Sequence, residues 1–318
     1  MDRRQFMVDT ALAAGVLASR NEASMSTEEF APERIVLKAN GFTFAALAAG
    51  PKDRQLILML HGFPQFADSW TSVMRPLAAA GYRVVAVDQR GYSNGARPLP
   101  VSDYTSDKLS TDVVSFADAL SAPQFHLVGH DWGGAVAWKV AATYPKRLRS
   151  LSVLSTPHPD AFAAALRTDP KQQELSGYFT LFRAPDHAAE TALLADDARL
   201  LRGAYRGKVP AAEVQANVRR FADDGTLTGG LNWYRASALG SSSEIGPITV
   251  PTLYIWGDQD QALGEVAALA TAKYVSGPYR FERLTGKSHW LLEECPDEVS
   301  RLVLAEVKDI EGLPASRS

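Results

Sequence analysis

From Arg34 onward, short apolar runs alternate with amphipathic stretches. Residues 56–60 and 84–87 are apolar throughout and are bounded by polar or turn-forming residues, as is typical of strands buried on both faces. Between Tyr104 and Ala122 the apolar side chains instead recur at helical spacing. This alternation predicts a largely parallel sheet covered by helices.

The rest of the chain continues this pattern, with one long interruption. We expect further strands at residues 125–128, 151–154, 251–256 and 279–284, a helix that ends before Pro145, and a last helix from Pro296. Between about Pro159 and Ile248, apolar residues at helical spacing replace the alternation. The pattern therefore predicts one split core domain, residues 25–158 and 250–318, with a helical cap at residues 159–249 inserted into it.

Composition narrows the class of protein. The chain has 318 residues, 46% hydrophobic and 22% charged, with a formal net charge of -3, which is ordinary for a soluble globular protein. It has no dense Lys/Arg cluster, so we expect a small neutral substrate and no nucleic acid as partner. Cys295 is the only cysteine, and the six histidines lack metal-ligand spacing. We therefore expect no disulfide, no metal and no cofactor.

The first 24 residues allow two interpretations. Arg3 and Arg4, followed by the apolar residues 11–18, resemble a twin-arginine export signal, and this stretch is too short for a stable membrane span. However, Asp9 interrupts the apolar region, and Met25 could itself be a start. The protein is thus either exported, or cytoplasmic with residues 1–24 absent or disordered.

The sequence Gly-His-Asp-Trp-Gly-Gly, residues 129–134, joins a predicted strand to a predicted helix. A residue on so tight a turn projects its side chain clear of the sheet, and the flanking glycines relieve crowding. Asp131 holds that position, and its carboxylate, already ionised at neutral pH, can attack carbon directly. A plain helix N-cap is the alternative explanation of Asp131.

Two later segments favour the catalytic interpretation. Gly-Asp-Gln-Asp at residues 257–260 and Ser-His-Trp at residues 288–290 each follow a predicted strand, in the order acid and then histidine that nucleophile-elbow enzymes show. His289 is therefore the predicted base, whereas strand alternation directs His130 away from Asp131. The backbone N–H groups of Phe63 and Trp132 are the predicted oxyanion hole.

These motifs, with His-Gly-Phe-Pro at residues 61–64 and Asp-Gln-Arg-Gly-Tyr-Ser at residues 88–93, resemble the epoxide hydrolases of the α/β-hydrolase fold over about residues 34–310. The resemblance implies the α/β-hydrolase fold, with a mostly parallel central sheet flanked by helices and an inserted helical cap. It also implies that Asp260, three residues after Gly257, orients His289, rather than Asp258.

Family members hold the epoxide oxygen with two cap tyrosines. Tyr178 and Tyr234 match the two tyrosine motifs, although Arg183 and Asp186 replace the usual Gln and Gly near the first. The resemblance thus implies that a small apolar epoxide forms an ester on Asp131, which water activated by His289 then hydrolyses to release a diol. Tyr205 fits neither motif, and we interpret it as a packing residue.

Other functions stay open at this point. Haloalkane dehalogenases share the Asp-Trp elbow, and Trp132 and Trp233 could donate hydrogen bonds to a halide, although Phe63 offers no side-chain donor. An esterase, or a binding module without turnover, would be compatible with the same fold. The sequence predicts neither the physiological substrate, nor the attacked carbon, nor the oligomeric state.

Overall fold

One sheet organises the described part of the chain, which in the computed structural model comprises residues 30–223, 225–239 and 244–312. Its eight strands are β1 (Glu33–Ala39), β2 (Phe42–Ala49), β3 (Leu56–Leu60), β4 (Arg83–Val87), β5 (Phe125–His130), β6 (Leu148–Leu154), β7 (Thr252–Gly257) and β8 (Tyr279–Leu284). Their spatial order is β1-β2-β4-β3-β5-β6-β7-β8. The pairs β1–β2 and β2–β4 are antiparallel, and the strands from β4 to β8 are parallel.

The predicted mostly parallel sheet is confirmed, and each predicted strand is present to within a few residues. The central strands β3, β4 and β5 are buried along their whole length, which explains the continuous apolar sequence of β3 and of residues 84–87. The hairpin of β1 and β2 was not predicted. Strand β1 mixes exposed and buried positions at the edge of the sheet, and four of the eight residues of β2 are alanines, which are depleted in strands.

Helices flank this sheet. Those outside the interval between β6 and β7 are α1 (Thr71–Ala79), α2 (Ser106–Ala119), α3 (Trp132–Thr143), α10 (Glu265–Ala270), α11 (Leu291–Glu294) and α12 (Pro296–Gly312). Helix α1 packs against α12, and α2 packs against α3. Within the described ranges, none of the helices combines the length and apolar character needed to cross a membrane.

Six helices lie between β6 and β7 in the described residues. They are α4 (Pro159–Thr168), α5 (Pro170–Leu175), α6 (Phe179–Phe182), α7 (Ala188–Ala204), α8 (Ala211–Ala222) and α9 (Thr226–Leu239). This agrees with the expected helical character of the segment, and the division into core and cap stays a prediction. The predicted signal or extension at residues 1–24 lies outside the described residues.

Polar contacts attach these inserted helices to the loops that follow the central strands. Arg220 on α8 forms ion pairs with Asp68 and Asp88, and its guanidinium lies 3.5 Å from the centre of the Phe66 ring. The indole N–H of Trp233 on α9 donates to the carbonyl of Arg90 over 2.9 Å. Since these loops follow β3 and β4, the contacts fix the inserted helices over the carboxyl ends of the parallel strands.

The Arg90 loop is itself held by a buried ion pair. Both side chains are almost fully buried, and the guanidinium donates from Nε and Nη2 to the two carboxylate oxygens of Asp112 on α2, each over 2.7 Å. A two-pronged, desolvated pair of this kind is costly to break on one side, because the remaining charge keeps no partner.

We predict that Asp112→Asn lowers the free energy of unfolding by about 3 kcal/mol, because it leaves the Arg90 charge buried and unpaired. Urea denaturation measures the change. The control is Asp107→Asn, since Asp107 pairs with Lys139 through a side chain that is 79% exposed, and its loss should cost less than about 1 kcal/mol. Equal effects of the two variants would contradict the structural importance of the buried pair.

Candidate active site

Asp131 occupies a strained turn between β5 and α3. Its backbone lies at φ 52° and ψ -122°, a conformation that non-glycine residues rarely adopt. Lack of space explains why the neighbouring residues are glycines. A Cβ on Gly129 would lie 2.4 Å from the carbonyl oxygen of Gly133, and a Cβ on Gly133 would lie 2.2 Å from the carbonyl oxygen of Leu60. Only glycine lets the helix begin this close to the sheet.

The Asp131 carboxylate is held from two sides. Its Oδ1 accepts the backbone N–H of Phe63 over 2.8 Å, and its Oδ2 lies 3.4 Å from Nε2 of His289. Burial alone would raise the pKa of Asp131, but the hydrogen bond and charge of His289, with help from His130 and the N–H of Trp132, keep that pKa below its usual value. The carboxylate is therefore ionised at neutral pH.

His289 lies between two carboxylates. Its Nδ1 is 2.9 Å from Oδ2 of Asp260, whose other oxygen accepts the N–H groups of Ala262 and Leu263 over 2.8 and 2.9 Å. Burial opposes the charged imidazole, but Asp260 and Asp131 together raise the pKa of His289 to about 10. The resting site thus holds a cation flanked by two anions.

The two candidate acids differ in their contacts. Asp260 contacts the imidazole, as the resemblance implies, whereas Asp258 accepts the N–H of Gly286 over 2.8 Å and lies near Arg283. The structure therefore brings Asp131, His289 and Asp260 together in one chain of contacts and leaves Asp258 outside it.

Sequence reasoning missed two supports of His289. The ring of His130 donates from Nε2 to the backbone carbonyl of His289 over 2.9 Å, and the Ser155 hydroxyl donates to the same oxygen over 3.0 Å. Burial, and then the His289 charge, lower the pKa of His130 to about 4, so it stays neutral. The signal in the sequence was the position of His130 directly before Asp131. However, the backbone carbonyl that His130 binds belongs to His289, 159 residues away in the chain.

Tyr178 and Tyr234 meet over the candidate nucleophile. Their ring centres are 6.1 Å apart, and both line a cavity of about 520 Å³ together with Asp131 and His289. Burial, together with nearby Asp131, raises the pKa of each phenol well above its usual value. Both tyrosines are therefore neutral hydrogen-bond donors at physiological pH.

Arg183 connects the two tyrosine segments. Its Nε donates to the backbone carbonyl of Tyr234 over 3.0 Å and its Nη2 to the Ser237 hydroxyl over 3.0 Å. Arg183, in place of the usual Gln, thus ties the two segments together. Tyr205, in contrast, donates to the carbonyl of Pro64 and packs on Trp290, away from Tyr178 and Tyr234.

A second cavity, of about 280 Å³, also borders Asp131 and Tyr178. Its walls are mainly apolar and include Phe162, Leu166 and Leu263. The carboxylate therefore lies where two cavities meet. The side chain of Trp233 borders neither of them, since it is buried with its N–H bonded to Arg90.

The fold and this site define a hydrolytic enzyme class, and comparison with known proteins agrees. A family model described as alpha/beta hydrolase fold matches residues 55–296. Human epoxide hydrolase 4 is 32% identical over 283 residues, covering 86% of this chain and 78% of that protein. The AB hydrolase superfamily protein YfhM of Bacillus subtilis is 36% identical, covering 86% of this chain and 97% of that protein.

Solved structures point to the same family. An epoxide hydrolase structure from metagenomes of hot environments superposes with a TM-score of 0.78 at 29% identity, covering 87% of this chain and 99% of that one. The chain belongs to the epoxide hydrolase family of α/β hydrolases, and it is a hydrolase.

We predict that Gly62→Ala reduces hydrolase activity by about 100-fold, because displacing a reacting group by roughly 1 Å lowers the rate by about that factor. The added Cβ would lie 2.2 Å from Cβ of Asp131 and 2.3 Å from its Oδ1, so the carboxylate has to move. Steady-state kinetics with thermal unfolding measure the effect. Gly312→Ala, with open space around the added Cβ, is the control. Full activity in Gly62→Ala would contradict this account of the site.

Proposed function

We propose that this protein hydrolyses epoxides to vicinal diols through a covalent ester on Asp131. The observation that carries the proposal is the joint exposure of Asp131, Tyr178, Tyr234 and His289 to one cavity. An ionised carboxylate supplies a nucleophile, and two neutral phenols supply donors for the oxygen that leaves carbon. Relatives named epoxide hydrolases support this assignment.

In the first step, Oδ2 of Asp131 attacks a ring carbon and the carbon–oxygen bond of the epoxide breaks. Oδ1 stays bonded to the Phe63 N–H, so the other oxygen is the one free to attack. Tyr178 and Tyr234 hydrogen-bond to the oxygen as it becomes an alkoxide. The products of this step are an ester and, once the alkoxide has gained a proton, a hydroxyl group.

His289 supplies that proton, because the charges around it change during the first step. In the resting site Asp131 is one of the two carboxylates that raise the pKa of His289. Formation of the neutral ester removes this contribution, so the pKa of His289 falls and the imidazole loses the proton that the alkoxide gains, by way of the phenols. Nucleophilic attack therefore converts His289 into the base that the second step requires.

In the second step, neutral His289 takes a proton from water, and the hydroxide attacks the ester carbonyl. The N–H groups of Phe63 and Trp132 stabilise the oxyanion, as in other enzymes with a nucleophile elbow. The ester bond breaks, and the second proton of the water passes from the new carboxyl group to the departing alkoxide. The diol then leaves, and Asp131 and His289 are back in their charged forms. Asp260 holds the imidazole in the required orientation throughout.

The two cavities support a substrate with substituents on both sides of the ring. Each borders Asp131 and Tyr178, and their walls are mainly apolar, so a small apolar epoxide can place one substituent in each. As part of this proposal, residues 159–249 are the cap that closes the site over the core formed by residues 25–158 and 250–318.

Dehalogenation is the less supported alternative. A halide needs two side-chain donors. Trp233 is one candidate, but its indole N–H already donates to the Arg90 carbonyl. Phe63 contributes no polar side chain. A panel of styrene oxide, a haloalkane and an activated ester separates the candidates. Faster halide release or ester cleavage than epoxide opening would reject the proposed function.

We predict that a single turnover in oxygen-18 water, with enzyme in excess, places the label in the Asp131 carboxylate, because water attacks the ester carbonyl and not the epoxide. Peptide mass spectrometry locates the label. Asp131→Asn should reduce kcat at least about 1000-fold, and His289→Gln should accumulate the ester. Label found only in the diol of the first turnover would exclude the covalent route.

We predict that Tyr178→Phe and Tyr234→Phe each slow ester formation by about 10- to 100-fold, since each removes one donor to the developing alkoxide. The double variant should be slower than either single variant. Stopped-flow measurement of single-turnover epoxide opening isolates this step. The control is Tyr144→Phe, at the far end of α3. Unchanged rates of ester formation in both single variants would show that the tyrosines do not take part in the mechanism.

A further inference from the structure

A buried amide–carboxyl contact joins the two loops that carry opposite sides of the site. Nε2 of Gln65 donates to Oε1 of Glu293 over 2.5 Å, across 228 residues of sequence. Gln65 lies two residues after Phe63, whose N–H binds Asp131, and Glu293 lies four residues after His289. The contact therefore connects the oxyanion-hole loop to the helix α11 that follows the catalytic histidine.

Each partner of this contact has a side-chain oxygen that lacks a partner. Oε1 of Gln65 and Oε2 of Glu293 are both buried, and neither has a hydrogen bond within the described residues. Two such buried acceptors are costly. A single proton on Glu293 would change this, because its Oε2 would become a donor and Oε1 of Gln65, on the amide that already donates to Glu293, is an acceptor without a partner. Glu293 and Gln65 would then form a closed acid–amide pair with two hydrogen bonds.

The surroundings of Glu293 favour that proton. Burial is the largest influence, the negative charge of Glu213 on α8 adds to it, and together they raise the pKa of Glu293 to about 8, although Gln65 and the His289 charge oppose the shift. The phenol of Tyr205 at the end of α7 is also close enough to interact with Glu293.

The neighbouring cation Lys208 pairs with a different carboxylate. Lys208 forms its ion pair with the adjacent Glu294, over 3.2 Å, and Glu294 also accepts the N–H of Ser288 over 2.8 Å. The Gln65 amide is the side-chain hydrogen-bond partner of the Glu293 carboxyl group, and the backbone N–H of Glu293 also contributes.

We propose that Glu293 is a positioning residue. Its protonated form, paired with Gln65, holds the Phe63 N–H and His289 at the relative positions that hydrolysis of the ester requires. This inference rests on the proposed function. When Glu293 loses its proton, the second hydrogen bond of the pair is lost and the two loops separate. The new negative charge also stabilises protonated His289, so less of the imidazole is available as a base.

The test compares the wild-type protein with Glu293→Gln. The glutamine keeps both hydrogen bonds of the pair, donating to Oε1 of Gln65, but cannot ionise. We expect kcat of the wild type to fall by roughly tenfold between pH 8 and 9.5, the decline given by loss of one essential proton. The fraction of enzyme trapped as ester, measured by intact-protein mass spectrometry, should rise over the same interval. Glu293→Gln should show neither change, and KM should vary little in both.

The control is Glu298→Gln, because Glu298 is an exposed residue of α12 paired with Arg301, and it should keep the wild-type pH profile. A Glu293→Gln profile that still falls above pH 8, or an activity loss that is equal at every pH, would overturn the proposal.

A second measurement does not depend on epoxide hydrolysis. Glu293 has a pKa of about 8 in the folded protein and an ordinary value of 4.5, so its stabilising contribution is complete below 4.5 and is lost as the pH rises to about 8. The melting temperature of the wild type should therefore fall relative to Glu293→Gln between pH 5 and 8, with a constant difference above that range. A difference that does not change with pH would reject the acid–amide pair, whereas failure to open any epoxide would reject only the function.

Discussion

The strained backbone of Asp131 is the constraint on which the rest of the site depends. A residue at φ 52° is stable only where the surrounding structure enforces it, and here the enforcement is steric. Strand β3 and the start of α3 approach so closely that Gly62, Gly129 and Gly133 have no room for a Cβ. The same approach brings the Phe63 N–H within 2.8 Å of the carboxylate, so the turn that exposes Asp131 also places a backbone donor against it.

Charge balance is the second constraint. Asp131 and Asp260 both contact one imidazole, and together they stabilise its protonated form more than burial destabilises it. Because this balance depends on the Asp131 charge, the proposed ester on Asp131 would lower the pKa of His289. The neutral His130 and the hydroxyl of Ser155 both donate to the backbone carbonyl of His289.

In the proposed function, the inserted helices contribute the part of the site that selects the reaction. They supply Tyr178 and Tyr234, and the Arg220 ion pairs and the Trp233 hydrogen bond fix them to the loops after β3 and β4. Arg183 adds a tie between the two tyrosine segments. A core with a nucleophile, an acid and a histidine is common to many hydrolases, so the geometry of the two phenols over the carboxylate is what favours an epoxide.

The sequence by itself determined the parallel sheet, the elbow at Asp131 and the membership of the epoxide hydrolase family, because apolar runs and strand-end motifs are local signals. It also singled out His289 and the two tyrosines, which lie on such motifs. Only the tertiary structure revealed the Gln65–Glu293 pair, the contact of His130 with the His289 backbone and the edge hairpin of β1 and β2. These features depend on groups far apart in the chain, and the charge state of each buried group is decided by neighbours that no local pattern identifies.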